Sequence, residues 1–153
     1  MQSRRRLSHA QGYLGLGMLA EAAAELDQIP APESESLEVL TVRLAVLQEQ
    51  QNWPALAITA RAFVGRVPTE AAGWVTWAYA VRRADSLAAA ESILLEAERL
   101  HPKEATIQFN LGCYACLRGD LGAARRRIDR AVALDPKFAP AVATDPDLVA
   151  LRG

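Results

Sequence analysis

Apolar residues along this chain recur at three- and four-residue steps, and the pattern restarts every 34 residues. Two prolines mark the restart. Ala90, Leu94, Ala97 and Leu100 precede Pro102; Ala124, Ile128, Ala131 and Leu134 precede Pro136 at the same distances. A fixed period of this length means stacked copies of one small supersecondary element. Extended from Pro102, the frame gives four repeats at 3–36, 37–70, 71–104 and 105–138, with a tail at 139–153. Pro68 holds the anchor position of the second repeat. The first has Ser34 there, with Pro30 and Pro32 close by.

Each repeat reads as two helices. In the fourth, Ile107, Leu111, Tyr114, Ala115 and Leu117 give helical spacing over 105–117. Gly119-Asp120 breaks it, with Asp120 as an N-cap. A second amphipathic run, Leu121 to Leu134, closes at Asp135-Pro136. The third repeat does the same, with Trp74, Trp77, Ala78 and Val81 on one face, a break at Asp85-Ser86, and a run from Leu87 to Leu100. The second departs inside its second helix, where Leu56 and Phe63 stand at small-residue positions and Ala60 at a bulky one. That pattern predicts a volume exchange within one layer. Pro30 to Ser36 is rich in turn formers and falls on a repeat boundary, with Ser34 or Ser36 placed to cap the next helix.

The chain resembles the tetratricopeptide repeat (TPR) family. Trp74, Trp77, Ala78, Val81, Ala90, Leu94, Ala97 and Pro102 fit the motif in the third repeat. Gln108, Leu111, Gly112, Ala115, Ala124, Ile128, Ala131 and Pro136 supply it in the fourth. The resemblance implies an all-α, right-handed α-solenoid of four helix hairpins. In such a fold the first helix of each repeat lines a concave groove. By this resemblance Gln11, Thr41, Gln48, Val75, Tyr79, Arg82, Phe109 and Cys113 are the groove residues. They suit an extended peptide or a helix of another protein. The lysines with which some family members clamp a terminal carboxylate have no counterpart at those positions.

Asp145-Pro146-Asp147-Leu148 in the tail carries a helix-start signal. It predicts a short helix over 146–151 that sets Leu148, Val149 and Leu151 against the last repeat as a C-terminal cap. Docking of the tail in its own groove is the alternative.

Composition narrows the function classes. The chain has 153 residues, 51% hydrophobic and 23% charged, with formal net charge -1. This balance gives no global attraction to nucleic acid or an anionic membrane. No apolar run reaches the ~18 residues of a membrane span, and the basic N-terminus leads into no signal-peptide core. The expectation is a cytoplasmic protein. Arginine outnumbers Lys103 and Lys137, the only lysines, and alanine is abundant, as in products of GC-rich bacterial genomes. Both ends can be capped, which predicts a monomer, with a homo-oligomer as the alternative.

Catalytic motifs do not emerge. Gly12, Gly15 and Gly17 lack a phosphate-loop lysine. Cys113 and Cys116 form a CxxC within a helix, away from the N-terminal position that activates thiols. Zinc would need two further ligands, and His9 and His101 lie far apart in the repeat frame. No metal or cofactor is therefore expected. Arg118, Arg125, Arg126, Arg127 and Arg130 form a local basic cluster, mostly on a second helix, without interleaved aromatics. The leading expectation is a non-catalytic protein-binding module. A small secretion- or assembly-type chaperone is the first alternative, and an RNA-binding helical repeat protein the second.

Overall fold

Short polar side chains open four of the helices, and a proline follows three of them. The computed structural model describes residues 2–153, which form α-helices and short 3-10 turns, with no strand among the described residues. The helices are α1 Gln2–Gly15, α2 Leu19–Asp27, α3 Leu37–Glu49, α4 Trp53–Arg66, α5 Ala71–Ala84, α6 Leu87–Leu100, α7 Ala105–Leu117 and α8 Leu121–Leu134. Ser36 Oγ accepts from the Val39 N–H at the start of α3, and Asn52 Oδ1 from the Ala55 N–H at the start of α4. Ser86 and Asp120 do the same for α6 and α8. Each bond satisfies a first-turn donor that the helix itself cannot pair. Pro68, Pro102 and Pro136 each stand two residues beyond the end of α4, α6 and α8, where a ring without an N–H cannot continue the helix.

The turn joining the two helices of a repeat also keeps the period. Gly17 (φ 73°) and Gln51 (φ 55°) are left-handed one period apart, and Gly119 (φ 87°) follows two periods later. Glycine adopts this conformation without steric cost, whereas Gln51 carries a Cβ there.

The residues divide into two compact units, one up to Ala84 and one from Asp85. In the N-terminal unit, Leu7 and Ala10 of α1, Ala22 and Leu26 of α2, and Val39, Val42 and Val46 of α3 share one core cluster. Leu47 of α3 then joins Leu56 of α4 and Ala80 of α5 in the next. Helix α3 thus serves two successive layers. The volume exchange expected in α4 extends to the following helix. Phe63 presses on Gly73 of α5, where an added Cβ would lie 2.8 Å from Phe63 Cδ1. Ala60 alone does not make the room. Polar ties cross the same layers: Arg6 pairs with Glu25 at 3.1 Å and Arg43 with Asp27 at 2.9 Å. The Trp74 indole donates to the Pro68 carbonyl at 2.9 Å, so this large ring is buried with its polar atom satisfied.

The C-terminal unit holds α6, α7, α8 and the tail. Helix α7 is buried nearly all round, from Ala105 to Cys116. Its Gly112 lets α8 approach closely, since a Cβ there would meet Ile128 Cδ1 at 2.7 Å. Where the third repeat has Trp74, the fourth has Gln108, which is 1% exposed. Gln108 donates to Glu98 of α6 and accepts from Arg127 of α8 at 3.0 Å, while Arg127 also binds Glu98. Three helices are therefore joined through one satisfied polar cluster.

A 3-10 turn Pro136–Phe138 ends the fourth repeat, and the tail consists of helix α9 Ala139–Thr144, a second 3-10 turn Pro146–Leu148 and helix α10 Val149–Arg152. The single helix expected over 146–151 is thus split. Asp145 Oδ1 accepts from the Asp147 N–H at 2.8 Å, which tightens the first turn into 3-10 geometry. Leu148 is fully buried and Leu151 half-buried, but Val149 is 59% exposed and points away from the core. Arg152 ties the tail to itself through the Val142 and Asp145 carbonyls.

Candidate functional site

The first helices of the N-terminal unit present side chains that its core does not use. Gln11 on α1, Thr41 and Gln48 on α3, and Tyr79 on α5 are exposed, with Val75 and Arg82 of α5 half-buried. Their spacing explains this. The buried stripe of α3 runs through Val39, Val42 and Val46, so Thr41 and Gln48 fall off it. Beside the start of α1 lies an open hollow of about 380 Å³, lined by Gln2, Arg4, Arg5, Ser8 and His9. Arg4 and Leu7 also border a smaller one of about 170 Å³ against Glu38 and Val39 of α3.

Around Tyr79 the structure assembles a group that the repeat frame did not single out. The Trp53 ring meets Tyr79 edge-on, with centroids 5.5 Å apart. The Arg83 guanidinium carbon sits 3.4 Å from the Tyr79 ring centroid and 5.3 Å from that of Trp53. Arg83 follows Tyr79 by four residues, the spacing that places two side chains on one helix face, so this signal was available in the sequence.

Phe109 and Cys113, expected on an open groove, are instead buried at 5% and 3% exposure. The turn after α8 and the tail cover them. Phe138 stacks on Phe109 with centroids 4.9 Å apart. The Cys113 thiol and the carboxylate oxygens of Asp145 and Asp147 lie within 4.8 Å of one another. The two aspartates are ligand-type groups that the repeat spacing did not bring to Cys113. Three such donors fall short of the four of a closed structural zinc site, and Asp145 is already engaged as a cap.

Four arginines of the basic cluster in the C-terminal unit bond to other residues of the chain, and of these only Arg127 is half-buried; Arg118, Arg125 and Arg130, like Arg126, stay exposed. Arg118 pairs with Glu91 at 3.0 Å and Arg127 with Glu98. Arg125 donates to the Leu151 carbonyl and Arg130 to that of Pro102. Burial acts to raise the pKa of Glu98. The hydrogen bonds from Arg127 and Gln108, with the charges of Arg127 and Arg130, outweigh it and hold the carboxyl below its ordinary value.

Comparison with solved structures defines the class that this geometry belongs to: an all-α helix-hairpin fold of the TPR type. MamA from Desulfovibrio magneticus RS-1 superposes with a TM-score of 0.76 at 16% identity, covering 88% of this chain and 76% of that one. MamA of strain MSR-1 gives 0.74 at 16% identity, over 86% of this chain and 76% of that one. A thermophilic TPR protein of Thermus thermophilus gives 0.63 at 19% identity, over 98% of this chain and 95% of that one. The sequence matches no family model and no curated protein. Among the described residues, no helix is long and apolar enough to cross a membrane.

Proposed function

We propose that this chain is a non-catalytic protein–protein interaction module, which holds a peptide or helical segment of a partner on the exposed face of α1, α3 and α5. One observation carries the reading. Gln11, Thr41, Gln48 and Tyr79 come from three helices of one unit and remain exposed while the opposite faces form its core. Amide and hydroxyl groups beside an aromatic ring are what recognition of a peptide backbone and one apolar anchor requires. The likeness to a TPR protein supports the same reading. The tail, lying on α7 and α8, serves the C-terminal unit as its cap. Arg118 and Arg127 are paired with carboxylates, and no aromatic residue interleaves with the exposed Arg125, Arg126 and Arg130, which ranks the RNA-binding alternative below the protein-binding one.

Selection of random dodecapeptides on the full-length protein tests this, with a Thr41→Arg, Gln48→Arg double variant as counter-screen. Peptides that bind the native protein and not the variant are expected. An empty selection, or peptides that bind both equally, would overturn the assignment of this face.

A further inference from the structure

We infer that Arg83, Tyr79 and Trp53 form an anchoring site for a side-chain carboxylate next to an aromatic residue, so that the partner segment is acidic and aromatic in composition. This rests on the interaction reading above and names the partner's chemistry. Three observations lead to it.

First, the guanidinium is held in place. Its carbon lies 3.4 Å from the Tyr79 centroid and 5.3 Å from that of Trp53, whose ring meets Tyr79 edge-on. A planar guanidinium stacked on a ring keeps its fork of N–H donors in a fixed orientation, which an ammonium group does not. Second, those donors are under-used. Arg83 offers five N–H groups. Nη1 donates to the Tyr79 carbonyl at 3.4 Å, and Arg83 pairs with no carboxylate among the described residues. Contrast Arg6, Arg43, Arg118 and Arg127, each of which has its carboxylate. Third, the bed is accessible. Tyr79 is 37% exposed, Trp53 is half-buried and Arg83 is exposed.

A carboxylate approaching in the guanidinium plane can take two parallel hydrogen bonds. A ring beside it in the partner then lies on the uncovered part of Tyr79 or Trp53. Tyrosine, tryptophan and arginine together are also the residues in which binding energy concentrates at interfaces. The acid is a side chain within the segment, so a free chain terminus is not required.

The test uses the dodecapeptides selected on the full-length protein, resynthesised with amidated C-termini and a fluorescein label, and titrated by anisotropy. Enriched sequences are expected to pair Asp or Glu with Phe, Tyr or Trp. Arg83→Gln is expected to weaken them at least tenfold, with Arg83→Lys restoring only part. Tyr79→Leu, which removes the stacking bed but keeps an apolar side chain, is expected to weaken them at least fivefold. Unchanged circular dichroism and melting would show that each variant folds. Peptides without acidic residues, or unaffected by Arg83→Gln yet lost with the Thr41→Arg, Gln48→Arg variant, would overturn this inference and leave the interaction reading intact. An empty selection would overturn both.

Discussion

Replacing Glu98 by Gln tests whether the polar cluster of the C-terminal unit stabilises the fold through charge. Glutamine keeps the shape of the side chain and reproduces a protonated carboxyl. What it removes is the charge facing Arg127, whose side chain is 30% exposed against 26% for Glu98. A hydrogen bond to a charged group contributes about 1.5–3 kcal/mol when buried, and partial exposure screens it. The expected loss at pH 7 is therefore about 1–2 kcal/mol, or roughly 2–8 °C in Tm for a chain of this size. The sign with pH follows from the lowered pKa. A carboxyl held below its unfolded value, about 4.3, stabilises the fold above that value. The contribution is lost as pH falls through the folded pKa. Native protein and Glu98→Gln should differ at pH 7, and the gap should narrow as the pH is lowered below the unfolded value. Urea unfolding followed by circular dichroism over a descending pH series measures this. Equal stability at pH 7 would refute the charge argument.

Two further outcomes are expected. Gln51 is left-handed where Gly17 and Gly119 stand at the matching turns. Gln51→Gly should therefore raise unfolding stability by about 0.5–1 kcal/mol; a loss would mean the Gln51 side chain holds the turn by other contacts. Deleting residues 139–153 should expose the Cys113 thiol, and its labelling by a chromogenic disulfide should accelerate at least tenfold. Unchanged labelling would show that the tail is not what shields it.

Much of the fold was legible because it repeats. The breaks at Gly119-Asp120 and Asp135-Pro136 place α7 and α8 at the expected residues, and Asp120 caps as its position predicts. Chemistry that depends on distance in space was less legible. Nothing in the spacing says that Gln108 replaces Trp74 by joining Glu98 and Arg127, because the three residues share no helix face. Phe109 and Cys113 follow the groove periodicity, yet a face is open only if no later segment folds onto it. The tail signalled a helix start at Asp145, not the direction in which Phe138 and Leu148 would turn. Arg83 on Tyr79 could have been read from its four-residue spacing, but the frame of groove positions pointed to Arg82.

The hydrogen bonds and ion pairs described above share one property: none reaches further along the chain than the 29 residues between Glu98 and Arg127. A chain growing from a ribosome at about 5–20 residues per second would supply each residue's partner within roughly six seconds. Native contacts can then form in the order in which the residues are made, helix by helix from the N-terminus. Exposed faces such as that of α3 wait for α4 only briefly, which limits the time in which two nascent chains could pair in error.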